Sequence, residues 1–202
     1  MRRLDRALWI VGVVCLGTFI LFTLQRRFYQ EELNDTFDQM VEAPAPAPTS
    51  APEAPARRMR EGDLVGRLEI PRLSVSVMVL EGIASRTLRL GAGHIPGTPL
   101  PGAIGNSGIA AHRDTFFRPL SRIETNDEIV FHTPSKKSTY RVVSTKIVMP
   151  NDVEVLKPNG KDTITLVTCY PFYYIGPAPK RFIVTATVGE TASVEAGAGS
   201  GK

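Results

Sequence analysis

A cysteine and an arginine at the ends of two consecutive predicted strands are the groups best placed to do chemistry together. Cys169 closes the run TLVTC (165–169), whose composition is typical of a β-strand. Arg181 lies near the start of a second strand-like run, KRFIV (180–184), after a loop rich in aromatic residues, proline and glycine. If the two strands are neighbours, the thiol lies beside the guanidinium, which is a plausible nucleophile with a fixed cation.

Cys169 is one of two cysteines in the chain. The other, Cys15, lies inside an apolar run near the N-terminus, so Cys169 is the sole thiol of the part predicted to be outside the cytoplasm. Free thiols in that compartment tend to be oxidised or paired. A lone cysteine there is either a small buried hydrophobic residue or a reactive group.

Three histidines are candidates for the proton transfer that a cysteine nucleophile needs. His112 follows a run of small residues at a predicted strand end, where it can face the same rim as Cys169. The pKa of histidine suits both protonation of a leaving amine and deprotonation of an incoming nucleophile. His94 lies in a loop of glycine and proline and is expected either to line a substrate groove or to hold that loop. His132 is expected to be an ordinary histidine at a strand end.

An apolar run without charges, residues 7–24, predicts one membrane-spanning helix. Three arginines and the terminal amine precede this run and two arginines follow it, which predicts a cytoplasmic N-terminus with the rest of the chain outside. A cleaved signal peptide is the alternative, but no small-x-small cleavage site closes the run. We therefore assign residues 1–27 to a cytoplasmic tip and an anchor.

Residues 28–56 are predicted to be an extracytoplasmic stalk and linker. The first part, 28–40, is compatible with a short helix, whereas prolines alternate with alanines over 42–56, as is typical of extended polyproline II. At about 3.1 Å per residue, this linker would hold the next domain up to roughly 40 Å from the membrane. The tail, 189–202, is small and polar and is predicted to be disordered.

The remaining region, 57–188, is predicted to be one all-β domain with short helical turns at 85–90 and 116–123 and a hairpin turn at 134–137. Seven or eight short strands with few helices favour a closed barrel or a sandwich. The strand-like runs are 64–70, 75–80, 104–111, 128–132, 139–149, 163–169 and 181–188.

This region carries 18 lysine and arginine residues against 11 aspartate and glutamate residues. We interpret the excess as a solvated basic surface, which can attract anionic polymers of a cell envelope. No basic run is interleaved with stacking aromatic residues, so nucleic acid is not an expected partner.

Taken together, TLVTC, the upstream AAHRDTFF and the downstream APKRFIV resemble the sortases, membrane-anchored cysteine transpeptidases of bacterial envelopes. The resemblance covers about residues 63–188 and implies an eight-stranded closed β-barrel with Cys169, His112 and Arg181 as catalytic residues. It also implies attack on the Thr–Gly or Thr–Ala bond of a C-terminal sorting signal such as LPxT-G/A. The resulting thioacyl intermediate would pass to an envelope amine, either a peptidoglycan precursor or a protein lysine, outside the bacterial plasma membrane.

The same resemblance implies that Thr168, Tyr170 and the 170–180 loop shape the substrate pocket, to which His94 is added as a candidate. The segments TLVTCYPFYYIGPAPKRFIV and HRDTFFRPL look most like class D. The chain shows no Asp-Pro-aromatic lid ahead of the barrel and no second apolar span, which favours an anchoring enzyme over a pilin-polymerising sortase.

Three carboxylates, Glu124, Asp127 and Glu128, follow the histidine region, where class A sortases can place calcium ligands. We interpret them as solvated side chains and predict neither a metal nor a cofactor.

Other functions remain open at this point. One is an extracytoplasmic Cys/His peptidase, and another is an L,D-transpeptidase, although the Ser-His-Gly-Cys pattern of that class is missing. An anchored β-barrel binding module, or a sortase-like domain without activity, is the alternative that is not an enzyme. The presence of Cys169, His112 and Arg181 together favours an active enzyme.

Overall fold

The computed structural model describes residues 2–42 and 59–188. Most of the proline-rich linker, together with the predicted tail at 189–202, lies outside the described residues.

The first element is one long helix, α1 (Arg2–Glu42), which continues without a break from the apolar run into the polar segment after it. Within the described part of the chain, it is the one helix long and apolar enough to cross a membrane. The side chains of its apolar run are exposed, as those of a helix in contact with lipid would be. The predicted anchor and the predicted short helix at 28–40 are therefore one continuous element.

Eight strands form a closed barrel in the order β1-β2-β3-β4-β7-β8-β6-β5. This confirms the predicted all-β barrel and excludes the sandwich. One short helix, α2 (Ser85–Leu90), and three 3₁₀ turns, the second of them at Arg118–Arg122, join the strands. The strands are β1 (Leu64–Ile70), β2 (Val75–Glu81), β3 (Ala92–His94), β4 (Gly105–Ala110), β5 (Glu128–His132), β6 (Lys137–Val148), β7 (Asp162–Tyr170) and β8 (Lys180–Val188).

Strand β3 is the element that the sequence did not reveal, because it is three residues long and lies in the predicted glycine and proline loop. It pairs in parallel with β2 and antiparallel with β4. A Cβ atom at Gly93 would lie 2.2 Å from the carbonyl oxygen of Gly82, so only glycine permits this close approach.

Helix α1 packs against the outside of the barrel beyond its apolar run. Phe37 is 1 % exposed, and its ring lies 5.1 Å from the guanidinium of Arg67 on β1. Asp38 forms an ion pair with the same arginine at 3.1 Å. The amide of Gln30 accepts a hydrogen bond from the backbone N–H of Met78 at 3.0 Å and donates one to the carbonyl of Leu90.

The stalk and linker assignment of 28–56 stays a prediction, but the first part of that segment lies against the barrel in this structure. The physical reason lies in β2, where four consecutive apolar side chains, Val77, Met78, Val79 and Leu80, are all buried. A strand that is apolar on both faces needs cover on its outer face as well as a core on its inner face. Contacts from α1 provide that cover.

Candidate active site

Cys169 and Arg181 lie directly opposite each other in the antiparallel pair β7–β8. This confirms the predicted adjacency of the two strands. Residues that are paired in this way have Cβ atoms about 5 Å apart and side chains on the same face of the sheet. Leu166 on β7 is fully buried in the barrel core, so Cys169, three positions later, points to the outer face.

His112 follows β4, which runs parallel to β7 on the side away from β8. The register pairs Ala110 with Val167, and the backbone N–H of Ala111 donates to the carbonyl of Val167 at 3.2 Å. His112 and Cys169 each lie two residues after the Ala110–Val167 pair. The same register therefore places His112 beside Cys169, on the same face of the sheet. The ends of three adjacent strands thus bring the three predicted catalytic residues together.

The guanidinium of Arg181 is held by backbone at the start of β8, because its Nη1 donates to the carbonyls of Ala178 in the preceding loop at 3.2 Å and of Lys180 at 2.9 Å. An arginine has several N–H donors in a planar fork, so these bonds leave donors for a substrate. A thiol beside such a cation and a histidine can attack a carbonyl carbon, stabilise the oxyanion and exchange a proton with an amine.

Two of the predicted substrate-binding residues, Thr168 and Tyr170, point away from Cys169. Thr168 is 2 % exposed, and its hydroxyl donates to the carbonyl of Ala111 at 2.8 Å. Tyr170 stacks on Phe182 with ring centroids 6.3 Å apart and contacts Phe172 edge-on at 6.0 Å. Because side chains alternate along a strand, both residues lie on the face of β7 opposite to Cys169. Thr168 instead ties β7 to the segment that carries His112.

His94, the third predicted substrate-binding residue, is 2 % exposed and is used inside the fold. Its Nδ1 lies 2.6 Å from a carboxylate oxygen of Glu81, and its Nε2 lies 3.0 Å from both the carbonyl oxygen of Pro99 and the hydroxyl of Thr98. These contacts fix the loop between β3 and β4. The structure therefore places His94 in the loop-holding position and not in the groove beside Cys169.

Arg113 is a residue of the site that the sequence analysis missed. Its Nη2 donates to the carbonyls of Tyr174 at 2.7 Å and Gly176 at 2.9 Å, and its guanidinium lies 5.8 Å from the Tyr174 ring centroid. Nearby, Arg118 lies 5.7 Å from the ring of Tyr173. The segment after His112 is thus tied to the loop between β7 and β8. The only signal in the sequence was a cation next to His112.

Asn106 is a second residue that the sequence analysis missed. Its Nδ2 donates to the carbonyls of Val155 at 2.9 Å and Lys157 at 3.3 Å, and its Oδ1 accepts from the hydroxyl of Thr165 at 2.7 Å. These bonds hold the 3₁₀ turn before β7 against β4. That turn covers part of the outer face of β4 and β7, the face on which Cys169 lies.

Two of the three carboxylates considered as calcium ligands, Asp127 and Glu124, are tied to an arginine instead. The side chain of Arg72 donates from Nε and Nη2 to both carboxylate oxygens of Asp127, and its Nη1 lies 3.7 Å from Glu124. The hydrogen bond from Arg72 lowers the pKa of the Asp127 carboxyl below its usual range. Among the described residues, no group of three or more His, Cys, Asp or Glu side chains could hold a metal ion.

The chain resembles known proteins in both sequence and fold. The family model for the sortase domain matches residues 68–188. The chain is 36% identical over 124 residues to sortase D of Bacillus subtilis (strain 168), an alignment that covers 61% of this chain and 63% of that protein. The chain thus spans less than two thirds of this relative's length.

Solved structures agree with the sequence matches. A sortase C from Clostridium perfringens SM101 superposes with a TM-score of 0.60 at 26% identity, covering 82% of this chain and 89% of that one. A Clostridium perfringens sortase D5 transpeptidase superposes with a TM-score of 0.64 at 24% identity, covering 81% of this chain and 98% of that one. This last likeness concerns the fold alone.

Proposed function

The chain belongs to the sortase family, and we propose that it is a membrane-anchored, class D-like cysteine transpeptidase that acts on C-terminal sorting signals. The observation that carries the proposal is the direct pairing of Cys169 with Arg181 across β7–β8, with His112 next in the β4–β7 register. A thiol, a guanidinium and an imidazole at one rim are the groups that acyl transfer through a thioester requires.

In the first half of the reaction, the Cys169 thiolate attacks the carbonyl carbon of the threonine in an LPxT-G/A-like signal. The oxyanion of the tetrahedral intermediate accepts hydrogen bonds from Arg181. When the Thr–Gly or Thr–Ala bond breaks, His112 donates a proton to the departing amine. The products are a thioester on Cys169 and the released C-terminal peptide.

In the second half, an envelope amine attacks the thioester carbon and His112 takes up its proton. The second tetrahedral intermediate collapses, an amide bond forms and the Cys169 thiolate leaves. The acceptor is either a peptidoglycan precursor or a protein lysine. Water attacks in the same way when no amine is present, which gives slow hydrolysis.

The outer face of β4 and β7 supports an extended peptide beside the nucleophile. Ala110 and Val167 lie on this face next to Cys169 in the register, and neither carries a long side chain. A Cβ atom at Gly108 would lie 2.9 Å from Ile95 and 3.0 Å from Leu156, so glycine lets these two side chains pack closely over this part of the face. The part next to Cys169, at Ala110 and Val167, is only half-buried and is where an extended peptide would lie.

Product analysis with the full chain in detergent tests this function. A fluorescent LPxT-G peptide is incubated with and without an added amine, and products are identified by mass spectrometry. We expect an amine-bearing product from the wild type and none from Cys169→Ala, which should retain the circular dichroism spectrum of the folded barrel. A hydrolysed product alone in the presence of amine would indicate a peptidase. Cleavage by Cys169→Ala above a tenth of wild type would contradict the nucleophile assignment.

We also propose that α1 crosses the bacterial plasma membrane once, with the N-terminus in the cytoplasm and the barrel outside. The support is the charge difference across the apolar run. Reporter fusions after Met40 should be active only outside the cytoplasm. A mature N-terminus beyond Leu24 would show that the segment is a cleaved signal peptide.

A further inference from the structure

A cavity of about 470 Å³ lies where the apolar run of α1 ends and the helix meets the barrel, and we call it the junction cavity. Its lining combines aromatic and aliphatic side chains with three arginines. On the α1 side it is lined by Phe22, Arg26 and Tyr29, and on the α2 side by Arg86, Arg89 and Leu90.

The junction cavity lies at the level of a lipid headgroup if α1 crosses the membrane as proposed above. The uncharged run ends at Leu24, and an α-helix rises about 1.5 Å per residue. Phe22 therefore belongs to the apolar segment, whereas Arg26 lies about 3 Å beyond its end. The cavity thus has one apolar end towards the membrane and one cationic end away from it.

Gln30 holds the two sides of the junction cavity together. Its Oε1 accepts from the backbone N–H of Met78 on β2, and its Nε2 donates to the carbonyl of Leu90, the last residue of α2. Helix α2, which carries Arg86 and Arg89, is consequently held against α1 by the side chain of Gln30. On the other side of α1, the guanidinium of Arg26 lies 5.4 Å from the ring centroid of Phe116.

The acidic side chains nearest to the junction cavity are already engaged. Glu61 and Asp63 line an adjoining cavity that shares Arg86. A carboxylate oxygen of Glu61 accepts from the hydroxyl of Thr87 at 3.2 Å, and the Asp63 carboxylate accepts from the backbone N–H of Arg60 at 2.8 Å. Within residues 2–42 and 59–188, neither Arg86 nor Arg89 forms an ion pair with a carboxylate.

We propose that the junction cavity binds the phosphate group of an anionic membrane lipid. Arginine matches phosphate oxygens with paired N–H donors, and the apolar lining near Phe22 receives the adjoining part of the lipid. Anionic lipids attract clustered basic side chains next to a membrane span. Bound lipid would fix the barrel on the membrane with Phe116, four residues after His112, close to the bilayer surface.

Lipid titration of the full chain in detergent micelles, followed by native mass spectrometry, tests the proposal. Phosphatidylglycerol is compared with phosphatidylcholine of the same acyl chains, and inorganic phosphate is added as a competitor. The variants are Arg89→Gln, Arg86→Gln/Arg89→Gln and, as a matched control, Arg141→Gln on β6, a strand remote from α1 in the barrel order. Both α2 arginines are exposed, so their substitution should not disturb folding, which circular dichroism verifies.

We expect one molecule of phosphatidylglycerol to bind wild type in preference to phosphatidylcholine. Since a basic side chain near an anionic surface contributes roughly a fivefold factor in affinity, Arg89→Gln should lose about fivefold and the double variant about 25-fold. Arg141→Gln should bind like wild type.

Three results would overturn the proposal. These are equal affinity for the two lipids, an unchanged affinity in the double variant, and displacement of the lipid by inorganic phosphate at equal concentration, which would indicate a site for free anions. The reporter fusions test the membrane span separately, and the peptide assay tests the transpeptidase activity.

Discussion

Arg113 donates a hydrogen bond from Nη2 to the backbone carbonyl oxygen of Tyr174 at 2.7 Å, across 61 residues of sequence. The bond joins the segment that follows His112 to the loop that connects Cys169 with Arg181. The same nitrogen also donates to the carbonyl of Gly176 at 2.9 Å. Arg113 therefore connects the two segments of backbone that carry the three proposed catalytic residues.

Replacement of Arg113 by glutamine should lower kcat of the full chain by roughly 10–100-fold, because a displacement of about 1 Å at a catalytic group costs that much. KM should change less, since β4 and β7 themselves are untouched. A positioning role also predicts a changed pH profile of kcat/KM, which a loss of stability alone would not produce. As a control, Arg118→Gln removes a contact with the Tyr173 ring and should keep kcat within about threefold of wild type. If Arg113→Gln also stayed within about threefold, Arg113 would not position the site.

Arg181→Lys should lose far more activity than a charge-conserving change suggests. Lysine keeps the positive charge but lacks the planar fork that places two donors on substrate carbonyls. If Arg181 binds the oxyanion as it forms, the loss should be roughly 100- to 1,000-fold in kcat with little change in KM. As a control, Arg141→Lys on β6 should leave kcat and KM nearly unchanged in steady-state kinetics. An Arg181→Lys variant within about threefold of wild type in kcat/KM would remove Arg181 from the reaction.

Docking of α1 on the barrel predicts different effects for two phenylalanines of the same helix. Phe37 is 1 % exposed against β1, whereas Phe28 is 65 % exposed. Phe37→Ala should lower the free energy of unfolding of the full chain by about 3 kcal/mol, because truncation of a buried aromatic side chain costs about 3 kcal/mol or more. Phe28→Ala should change it by less than about 0.5 kcal/mol. Chemical denaturation in detergent measures both, and equal effects would show that α1 does not pack on the barrel.

The ion pair between Arg72 and Asp127 predicts a stability that falls in acid. The hydrogen bond from Arg72 lowers the pKa of Asp127 in the folded state below the value of about 3.9 that an unfolded aspartate has. Its contribution is therefore complete above about pH 4 and is lost as the pH falls through the folded pKa.

Thermal unfolding of the full chain between pH 2 and pH 6 measures this effect. Asp127→Asn should be less stable than wild type near pH 6, and the two should converge in acid. Asp35→Asn, at an exposed carboxyl on α1, serves as the control. A constant difference between wild type and Asp127→Asn across this range would contradict the prediction.

Much of the barrel was readable from the sequence because strands depend on local composition. Runs of apolar, mostly β-branched residues between turn residues marked seven of the eight strands, and α2 was predicted as a short helical turn at 85–90. Strand β3 was not predicted because its pairing depends on the close approach of Gly93 to Gly82. That approach involves two segments of the chain, so the composition of either segment alone does not reveal it. The long apolar helix was equally readable, since length and apolarity alone make a helix able to span a bilayer.

Only the tertiary structure shows which face of each strand points into the barrel. TLVTC identifies Cys169 by its chemistry, but it does not say that Thr168 points into the barrel and bonds to Ala111. Nor does the sequence show that His94 is enclosed by Glu81 and the loop after β3. A one-residue step along a strand reverses the side-chain direction, and closure of the barrel selects which side becomes interior.

The sequence by itself therefore determined the family, the all-β class and the identity of a thiol, a histidine and an arginine that belong together. The tertiary structure decided that these three lie on adjacent strand ends, that Arg113 holds the loops around them and that α1 rests on β1 and β2. The physical reason is that composition and motif are local properties of a chain. Register, burial and contact between distant segments arise only when the apolar faces pack together.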